Sequence, residues 1–353
     1  MLRQTDKKRA LITGGAGFIG SHLAEALLRD GYSVTAFDNL STGRSENTAH
    51  LECEPAFELV VGDIADAPLV NELVAQSDAV FHLAAAVGVK LILADPIQSF
   101  RTNVHGTESV LRAAHRHGTK VLIASTSEVY GKVATMPQHE DDDVLLGPTS
   151  YSRWSYAACK MLDEFLALAY SRRGLRVVCF RLFNTVGPRQ TGAYGMVVPR
   201  FVDAALRGEP LQVHGDGGQS RCFLHVRDAV EAILRLERSP AADGQVFNIG
   251  STESVTILEL AERVLAVVAE HRRDDLAEAE LAEHTITFVP YNGAFPGGGF
   301  EDIRCRLPEI AKIQSATGWR PEHSLDAILR DVVVDRVAAL APIEEESPVL
   351  TPA

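Results

Sequence analysis

The feature that most constrains this chain is a glycine-rich turn between its first predicted strand and its first predicted helix. In the stretch RALITGGAGFIGSHLAEALLRDGYSVTAFDN, an apolar run leads into Gly14, Gly17 and Gly20, and a helical pattern begins at once. Glycines allow backbone N–H groups to approach a pyrophosphate, and the helix N-terminus adds partial positive charge. Asp38 ends the next strand, where a carboxylate can accept both hydroxyls of an adenosine ribose and repel the phosphate of NADP. The pattern therefore predicts an NAD site.

The alternation of strand and helix continues through the first half of the chain. Short runs rich in β-branched residues recur at 9–13, 32–37, 57–62, 78–84, 120–125 and 175–181. Helical patterns separate them, and this strict alternation predicts βαβ units with helices on both faces of a parallel sheet. We therefore expect an α/β fold, with a Rossmann-type doubly wound parallel sheet and a smaller, interleaved C-terminal α/β lobe that binds substrate.

The predicted domain boundaries follow from the point at which this alternation ends. We assign residues 1–185 to the NAD-binding domain, with its sheet completed by segments around 222–250. The pattern then becomes irregular and rich in Pro and Gly, so 186–340 is assigned mainly to the nucleotide-sugar lobe. The end of the chain, 341–353, has too little apolar content to pack, and we expect a disordered tail.

Composition and charge exclude several classes of partner. The 353 residues carry a net charge of −13, which argues against nucleic acid and anionic membranes, since both favour basic surfaces. No apolar run approaches the length of a membrane span, and the N-terminus lacks the apolar core of a signal peptide. The five cysteines are scattered without a CxxC pair, which favours a reduced, cytoplasmic setting. His82 and His225 have no His or Cys at ligand spacing, so no metal is expected.

Two further motifs predict acid–base chemistry. The motif STSEVYG follows an apolar strand and presents Thr126, Ser127 and Glu128 side by side. The motif SYAACK places Tyr156 and Lys160 one helical turn apart on the same face. A free phenol, with a pKa of about 10, is a poor base at neutral pH, but a neighbouring ammonium and bound NAD⁺ favour the phenolate. We therefore expect Tyr156 to act as the base.

The motifs TGGAGFIG, STSEVYG, SYAACK and FNTVGPRQ resemble those of the extended short-chain dehydrogenase/reductases, the NAD-dependent epimerase/dehydratase family, that act on nucleotide sugars. The resemblance covers about residues 9–332 and implies a triad of Thr126, Tyr156 and Lys160. It implies that Thr126 bonds the sugar 4-hydroxyl, that Tyr156 removes its proton, and that the C4 hydride passes to NAD⁺. The hydride chemistry belongs to the cofactor, which the protein orients.

The motifs are closest to those of the UDP-glucuronic acid decarboxylases, which implies UDP-glucuronate as substrate and UDP-4-keto-xylose or UDP-xylose as product. Oxidation at C4 would make the uronate a β-keto acid that loses CO₂ through an enolate, with Ser127 and Glu128 near C5 and C6. The alternative is a UDP-hexose or UDP-uronate 4-epimerase. Ser127 stands where one type of 4,6-dehydratase has an acidic Asp, so dehydration is less favoured. A non-catalytic NAD-binding protein is disfavoured because Tyr156 and Lys160 are both present.

The expected site residues fall into three sets. The cofactor set is Gly14, Gly17, Phe18, Ile19, Gly20, Asp38, Asn39, Asp63, Ile64, Leu83, Ala84, Ala85, Tyr156, Lys160 and Val186. The catalytic set is Thr126, Ser127, Glu128, Tyr156 and Lys160. The substrate set is Lys90, Asn184, Arg189, Val213, Arg221 and Arg306.

Some of these assignments carry a specific expected contact, and each has a plainer alternative. The resemblance implies that Asn184 bonds a UDP phosphate, that Arg221 reaches the substrate and that Arg306 binds the diphosphate. Both arginines could instead be surface residues, and Glu128 a solvated acid at a strand end. The resemblance also implies a homodimer, formed through the helix before the fifth strand, at about 97–117, and the Tyr–Lys helix.

Overall fold

The computed structural model describes residues 7–87, 95–193, 195–275, 285–290 and 303–340. Lys90 and the predicted tail therefore lie outside the described residues. The strands, in chain order, are β1 (Arg9–Thr13), β2 (Ser33–Asp38), β3 (Phe57–Val61), β4 (Ala79–His82), β5 (Lys120–Thr126), β6 (Val177–Leu182), β7 (Thr185–Val186), β8 (Leu211–His214), β9 (Ser220–Cys222), β10 (Leu224–His225), β11 (Gln245–Ile249), β12 (Ser254–Thr256) and β13 (Ile286–Val289).

The described helices alternate with these strands in the first half of the chain. They are α1 (Phe18–Arg29), α2 (Ala67–Ala75), α3 (Pro96–Phe100), α4 (Gly106–His117), α5 (Trp154–Ser171), α6 (Val197–Arg207), α7 (Val226–Arg238), α8 (Ile257–Asp275), α9 (Ala311–Thr317) and α10 (Leu325–Leu340). None of the described helices is both long enough and apolar enough to cross a membrane.

The central sheet has seven parallel strands in the order β11-β6-β5-β4-β1-β2-β3. The six strands predicted from the first half of the sequence all belong to it, so the expected α/β fold is confirmed. Its core strands are buried apolar runs, as a sheet covered on both faces requires. One hydrophobic cluster includes Leu23, Phe81 and Ile233, and another includes Val80 and Val110.

A separate hydrophobic cluster lies in the second half of the chain. It is formed by buried residues of α6, α8 and α10, among them Phe201, Val264 and Ile328, together with β8. The short pairs β9–β12 and β8–β13 accompany it, and β10 pairs with β7. The last part of the chain therefore builds its own packed unit beside the carboxyl ends of the central strands.

The helix predicted before the fifth strand, at about 97–117, differs from the observed structure in one respect. A π-helical turn, Arg101–His105, separates α3 from α4. It carries the buried Asn103, whose Oδ1 accepts from Ala86 N at 2.8 Å and whose Nδ2 donates to Ala86 O at 3.3 Å. These hydrogen bonds fix the backbone that follows β4, where Ala86 lines a cavity. Such a position is typical of π turns, which often occur at functional sites.

Candidate active site

A cavity of about 520 Å³ lies at the carboxyl ends of the central strands. Gly14 follows β1, Asp38 ends β2, Leu83 follows β4 and Thr126 ends β5, and all four line it. In open α/β sheets, ligands bind outside these strand ends, near the point where the strand order reverses. The cavity reaches both the glycine-rich turn and the Tyr–Lys helix, so one ligand-filled space can join the two predicted motifs.

The glycine-rich turn is packed too tightly for side chains. Gly14 has a φ of +72°, and a Cβ added there would lie 2.8 Å from Ala84 N. A Cβ on Gly20 would clash with Gly14 O. Helix α1 begins here with no side-chain cap and no acidic residue in its first turn. Uncapped N–H groups at a helix start suit an anion, so the turn fits the pyrophosphate of a dinucleotide.

Asp38 is held in place by the backbone of the same turn. Its Oδ2 accepts from Ala16 N at 3.1 Å and its Oδ1 accepts from Leu40 N at 2.9 Å. Burial raises the pKa of Asp38, while the backbone hydrogen bonds act in the opposite direction. A carboxylate oxygen has two acceptor sites, so Asp38 retains capacity for ribose hydroxyls.

Thr126 ends β5, and a 3₁₀ turn, Ser127–Tyr130, follows it. The Thr126 hydroxyl accepts from Glu128 N at 3.3 Å, which caps the turn and leaves the hydroxyl proton available for a ligand oxygen. Gly131 then ends the turn with a φ of +62°, where a Cβ would clash with Leu145 O. The local sequence therefore aims Thr126, Ser127 and Glu128 into the cavity, which all three line.

Tyr156 and Lys160 lie on α5, and both are buried. Tyr156 lines the cavity, whereas Lys160 lies behind it. The ammonium of Lys160 donates to Asp163 Oδ2 at 2.7 Å. Burial raises the pKa of Tyr156, and the negative charges of Glu128 and Asp163 raise it further. Without a positively charged ligand the phenol is therefore protonated.

Arg306 lies beside Glu128 rather than apart from the catalytic residues. Its Nη2 is 3.5 Å from Glu128 Oε1, and both side chains line the cavity. Arg306 is buried, and its Nε has no hydrogen-bond partner among the described residues. A guanidinium on the cavity wall is suited to a planar anion such as a carboxylate.

A buried network supports the strand end from behind. Ser125 Oγ donates to Glu164 Oε1, and Arg181 holds the same carboxylate through Nε at 3.0 Å and Nη2 at 2.8 Å. Tyr130 OH donates to Asn248 Oδ1 at 2.8 Å. Bidentate arginine–carboxylate pairs have a fixed geometry, so β5, β6 and α5 are joined rigidly where the catalytic residues begin.

The structure places most of the predicted site residues on the cavity wall. Those that line it are Gly14, Gly17, Phe18, Ile19, Gly20, Asp38, Asn39, Ile64, Leu83, Ala84, Ala85, Thr126, Ser127, Glu128, Tyr156, Asn184, Val186, Arg189 and Arg306. Asn184 Nδ2 donates to Cys222 O at 2.9 Å. Four other predicted residues that the structure describes do not line the cavity: Asp63, Lys160, Val213 and Arg221.

Val213 is the clearest departure from the predicted substrate set. Its side chain is fully buried in the second-half hydrophobic cluster, so a side-chain contact with substrate is not supported. Asp63 accepts from Asn39 Nδ2 at 3.0 Å and from Ala65 N at 2.8 Å, beside cavity residues Gly62 and Ile64. Arg221 is buried in β9, and its Nη1 donates to Ser220 O at 2.7 Å.

Arg189 lines the cavity, but its guanidinium is already bound by protein groups. Nη2 donates to Glu25 Oε1 at 2.7 Å and lies 2.8 Å from His22 Nδ1, while Nη1 donates to Asn47 O at 3.1 Å. Its backbone N donates to Asp335 Oδ2 at 3.1 Å, on α10. Arg189 therefore joins the two halves of the chain. The sequence did not predict this role, because most of the partners of Arg189 lie far from it in the chain.

Several cavity residues were missed by the sequence analysis. They are Arg44, Asn47, Gln190, Thr191, Met196 and Phe223, among others. Arg44 and Asn47 follow β2 closely, so their position after the Asp38 strand end was an available signal. Asp163 was also missed, although its spacing of three residues from Lys160 on a helix was visible in the sequence.

Comparison with known proteins gives one family and a consistent group of relatives. A model described as the NAD dependent epimerase/dehydratase family matches residues 10–250. A UDP-N-acetyl-alpha-D-glucosaminuronate decarboxylase of Bacillus cytotoxicus is 43% identical over 93% of this chain and 97% of its own length. UDP-glucuronic acid decarboxylase 1 of Danio rerio is 36% identical over 94% of this chain and 73% of its own.

Solved structures of related enzymes share the fold over nearly the whole chain. A UDP-N-acetylglucosamine 4-epimerase of Methanobrevibacter ruminantium, in complex with UDP-N-acetylmuramic acid, has a TM-score of 0.82 and 30% identity, covering 94% of this chain and 99% of that one. A dTDP-glucose 4,6-dehydratase of Streptomyces venezuelae with NAD bound has a TM-score of 0.80 and 30% identity, covering 94% and 97%.

Proposed function

We propose that this chain, which belongs to the NAD dependent epimerase/dehydratase family, decarboxylates a UDP-linked glucuronate after oxidation at C4. The chain is an enzyme, and NAD is its cofactor. The glycine-rich turn, the uncapped start of α1 and Asp38 would hold the dinucleotide. Held by these residues, the dinucleotide would supply a hydride acceptor for oxidation at the sugar C4.

The chain's own residues carry the proton chemistry of the oxidation. Thr126 would donate a hydrogen bond to the sugar 4-oxygen, and the Tyr156 phenolate would take the 4-hydroxyl proton. Both side chains line the cavity, and Lys160 lies one helical turn behind Tyr156. The positive charge of the bound cofactor opposes the burial that keeps the phenol protonated, so base strength would appear only in the loaded site.

The 4-keto group makes loss of CO₂ favourable. The C5–C6 bond breaks, its electron pair passes to C5 and onto the C4 oxygen as an enolate, and C6 leaves as CO₂. A proton then returns to C5, which gives a UDP-linked 4-ketopentose. Thr126, as a hydrogen-bond donor, would stabilise the enolate oxygen as negative charge develops there.

The observation that carries this proposal is the pairing of Arg306 with Glu128 inside the cavity. Arg306 lies on the cavity wall, where its guanidinium could donate hydrogen bonds to a uronate carboxylate. Glu128 competes for the same guanidinium and repels the substrate carboxylate, so the carboxylate is seated without being strongly stabilised. Weak ground-state stabilisation favours its loss, because only interactions stronger in the transition state accelerate a step. Glu128 would also relay a proton to C5.

The C2 substituent of the sugar has two candidates within this class. The sequence motifs and the Danio rerio relative support UDP-glucuronate, with a C2 hydroxyl. The 43% identity and matched length of the Bacillus cytotoxicus relative support the 2-acetamido sugar. Comparison of kcat/KM for the two uronates assigns the substituent, and a ratio of at least tenfold would identify the preferred one.

The test of the proposal is incubation of the enzyme and NAD with each uronate labelled at its carboxyl carbon. We expect labelled CO₂ and a UDP-linked pentose or 4-ketopentose, and no CO₂ from the Tyr156→Phe variant. The second candidate function is 4-epimerisation, favoured by the similarity to a UDP-N-acetylglucosamine 4-epimerase. A UDP-uronate inverted at C4, formed without CO₂, would replace the decarboxylase proposal.

We also propose that the chain forms a homodimer in a reducing, cytoplasmic setting. Apolar side chains of α3 and α5 are exposed on helices that pack together, including Ile97 at 70% and Phe165 at 65%. Burial of this face against a second copy of the chain would stabilise a dimer, since exposed apolar patches favour association. All five cysteines are unpaired, which supports a reducing compartment.

A further inference from the structure

Asp163 is a buried acid that the proposed reaction does not use. It lies on α5, three residues after Lys160, and its side chain is 0% exposed. Lys160 Nζ donates to Asp163 Oδ2 at 2.7 Å, and the Lys160 side chain is 2% exposed. Two opposite charges held so far from water are stable only as a pair, because loss of either partner leaves the other unsolvated.

The pair changes the charge that Tyr156 experiences. Lys160 alone would place one positive charge behind the phenol, whereas Lys160 with Asp163 places none. Burial, Glu128 and Asp163 all act to raise the pKa of Tyr156. The titratable or charged groups around the pair are Cys159 and Glu164 on α5, Glu128 on the 3₁₀ turn, His82 on β4 and Cys179 on β6, with Arg306 facing Glu128.

Uncharged hydrogen-bonding groups lie behind Asp163. Thr107 is near its carboxylate, but the Thr107 hydroxyl donates to Asn103 O at 2.6 Å, and Asp163 Oδ1 has no hydrogen-bond partner among the described residues. His82 Nε2 lies 3.0 Å from Thr107 Oγ1, and His82 Nδ1 lies 2.7 Å from Thr13 Oγ1, the residue before the glycine-rich turn. These side chains are fully buried, and burial lowers the pKa of His82 to about 3, so its ring is neutral. These groups therefore add no charge behind Asp163, whose carboxylate is held by the ammonium of Lys160.

We propose that Asp163 is a positioning residue that holds the Lys160 ammonium and balances its charge within the Tyr–Lys pair. The inference rests on the proposed role of Tyr156 as the base. In the resting protein, the negative charge of Asp163 helps to raise the pKa of Tyr156, and the positive charge of the bound dinucleotide would act in the opposite direction. Tyr156 would therefore be a strong base only when the dinucleotide is bound.

The test is the Asp163→Asn variant, with Asp228→Asn as the matched control. Asp228 is also a buried acid with a short bond, 2.7 Å to His323 Nδ1, but it lies on α7 outside the cavity wall. Removing one charge at such range shifts a neighbouring ionisation by about one pKa unit or more. We expect the acidic limb of log kcat/KM against pH to move to lower pH by at least that amount in D163N and to stay unchanged in D228N.

A second readout needs no turnover and separates this inference from the decarboxylase proposal. The full-length protein, labelled with ¹³C at tyrosine Cζ and lysine Cε, is titrated by NMR without substrate, and Y156F assigns the Tyr156 signal. In D163N the first proton leaves the coupled Tyr156–Lys160 pair at lower pH than in the native protein. If D163N does not fold, Asp163→Ser carries the same expectation. An unmoved limb together with unmoved Tyr156 and Lys160 titrations would refute the assignment, whatever sugar the enzyme uses.

Discussion

At the scale of single residues, Arg306 shows how position decides role. Its motif implied a contact with the diphosphate, and its guanidinium lies 3.5 Å from Glu128, beside the side chains predicted to be catalytic. A threonine and a tyrosine in these roles would serve any enzyme that oxidises C4. Thr126 and Tyr156 therefore do not determine the product. The buried Arg306 and its neighbour Glu128 would instead distinguish a substrate with a carboxylate from one without.

Glu128→Gln should separate oxidation from decarboxylation. Without the competing carboxylate, Arg306 would bind the uronate more tightly in its ground state, and the proton relay to C5 would be lost. We expect CO₂ release to slow by roughly tenfold or more, while reduction of bound NAD, followed by absorbance, changes much less. Glu231→Gln, an acid on α7 paired with Arg235, serves as control. Equal loss of both steps would contradict a separate role for Glu128.

Asp38→Asn should change the choice between NAD and NADP. The amide oxygen retains one of the two backbone contacts, made with Ala16 N or Leu40 N, and the side chain loses the charge that repels a ribose phosphate. We expect NAD to bind more weakly, and the ratio of NADP to NAD affinity to rise at least tenfold, or about 1.4 kcal/mol. Calorimetric titration of the full chain measures both. Asp30→Asn, at the far end of α1, is expected to leave the ratio unchanged, and an unchanged ratio in D38N would remove the charge argument.

At the scale of elements, local patterns were enough to predict the central sheet. Each of its first six strands is a short apolar run with a helix beside it, so periodicity and glycine punctuation determine it. The glycine-rich turn and the Tyr–Lys spacing are local in the same sense. The Arg306–Glu128 contact is not, because it joins residues far apart in sequence. The contact of Asn103 with the backbone of Ala86 also escaped prediction, because it joins the π turn to a loop that lies apart from it in sequence.

The exposed faces of α3 and α5 carry the prediction about assembly. Phe165 is 65% exposed on α5, and Ile97 is 70% exposed on α3, which packs against it. Phe165→Glu should convert the proposed dimer to a monomer, because a charge buried in an apolar interface is costly. Sedimentation velocity at micromolar concentration measures the mass. Val334→Glu, exposed on α10, is the control, and a native mass for F165E would place any dimer contact elsewhere.

At the scale of the whole molecule, buried histidines couple both halves of the chain to pH. Burial lowers the pKa of His22 to about 4 and that of His82 to about 3, and it also lowers the pKa of His225. His22 Nε2 lies 3.0 Å from Pro188 O, and its Nδ1 contacts Arg189, which bonds Asp335 on α10. A proton on His22 Nδ1 would face the Arg189 guanidinium, so protonation of this ring acts against the folded state.

The sign of the effect follows from the depressed folded-state values. The unfolded chain binds protons to these rings below about pH 6.5, whereas the folded chain does so only near pH 4 or lower. Their stabilisation is therefore complete above pH 6.5 and is lost as the pH falls toward 4. For His22 alone the loss is on the order of 3 kcal/mol across that window.

We therefore expect the unfolding midpoint in urea to decrease steadily between pH 6.5 and pH 4. His22→Gln, which cannot take up a proton, should show a shallower decrease, although its midpoint at pH 7.5 is lower because the contact with Arg189 is altered. His117→Gln, at the exposed end of α4, should retain the native slope. Parallel curves for the native protein and H22Q would mean that His22 does not carry this dependence. His82→Gln, examined by the same measurement, would then test the contribution of the buried His82 ring.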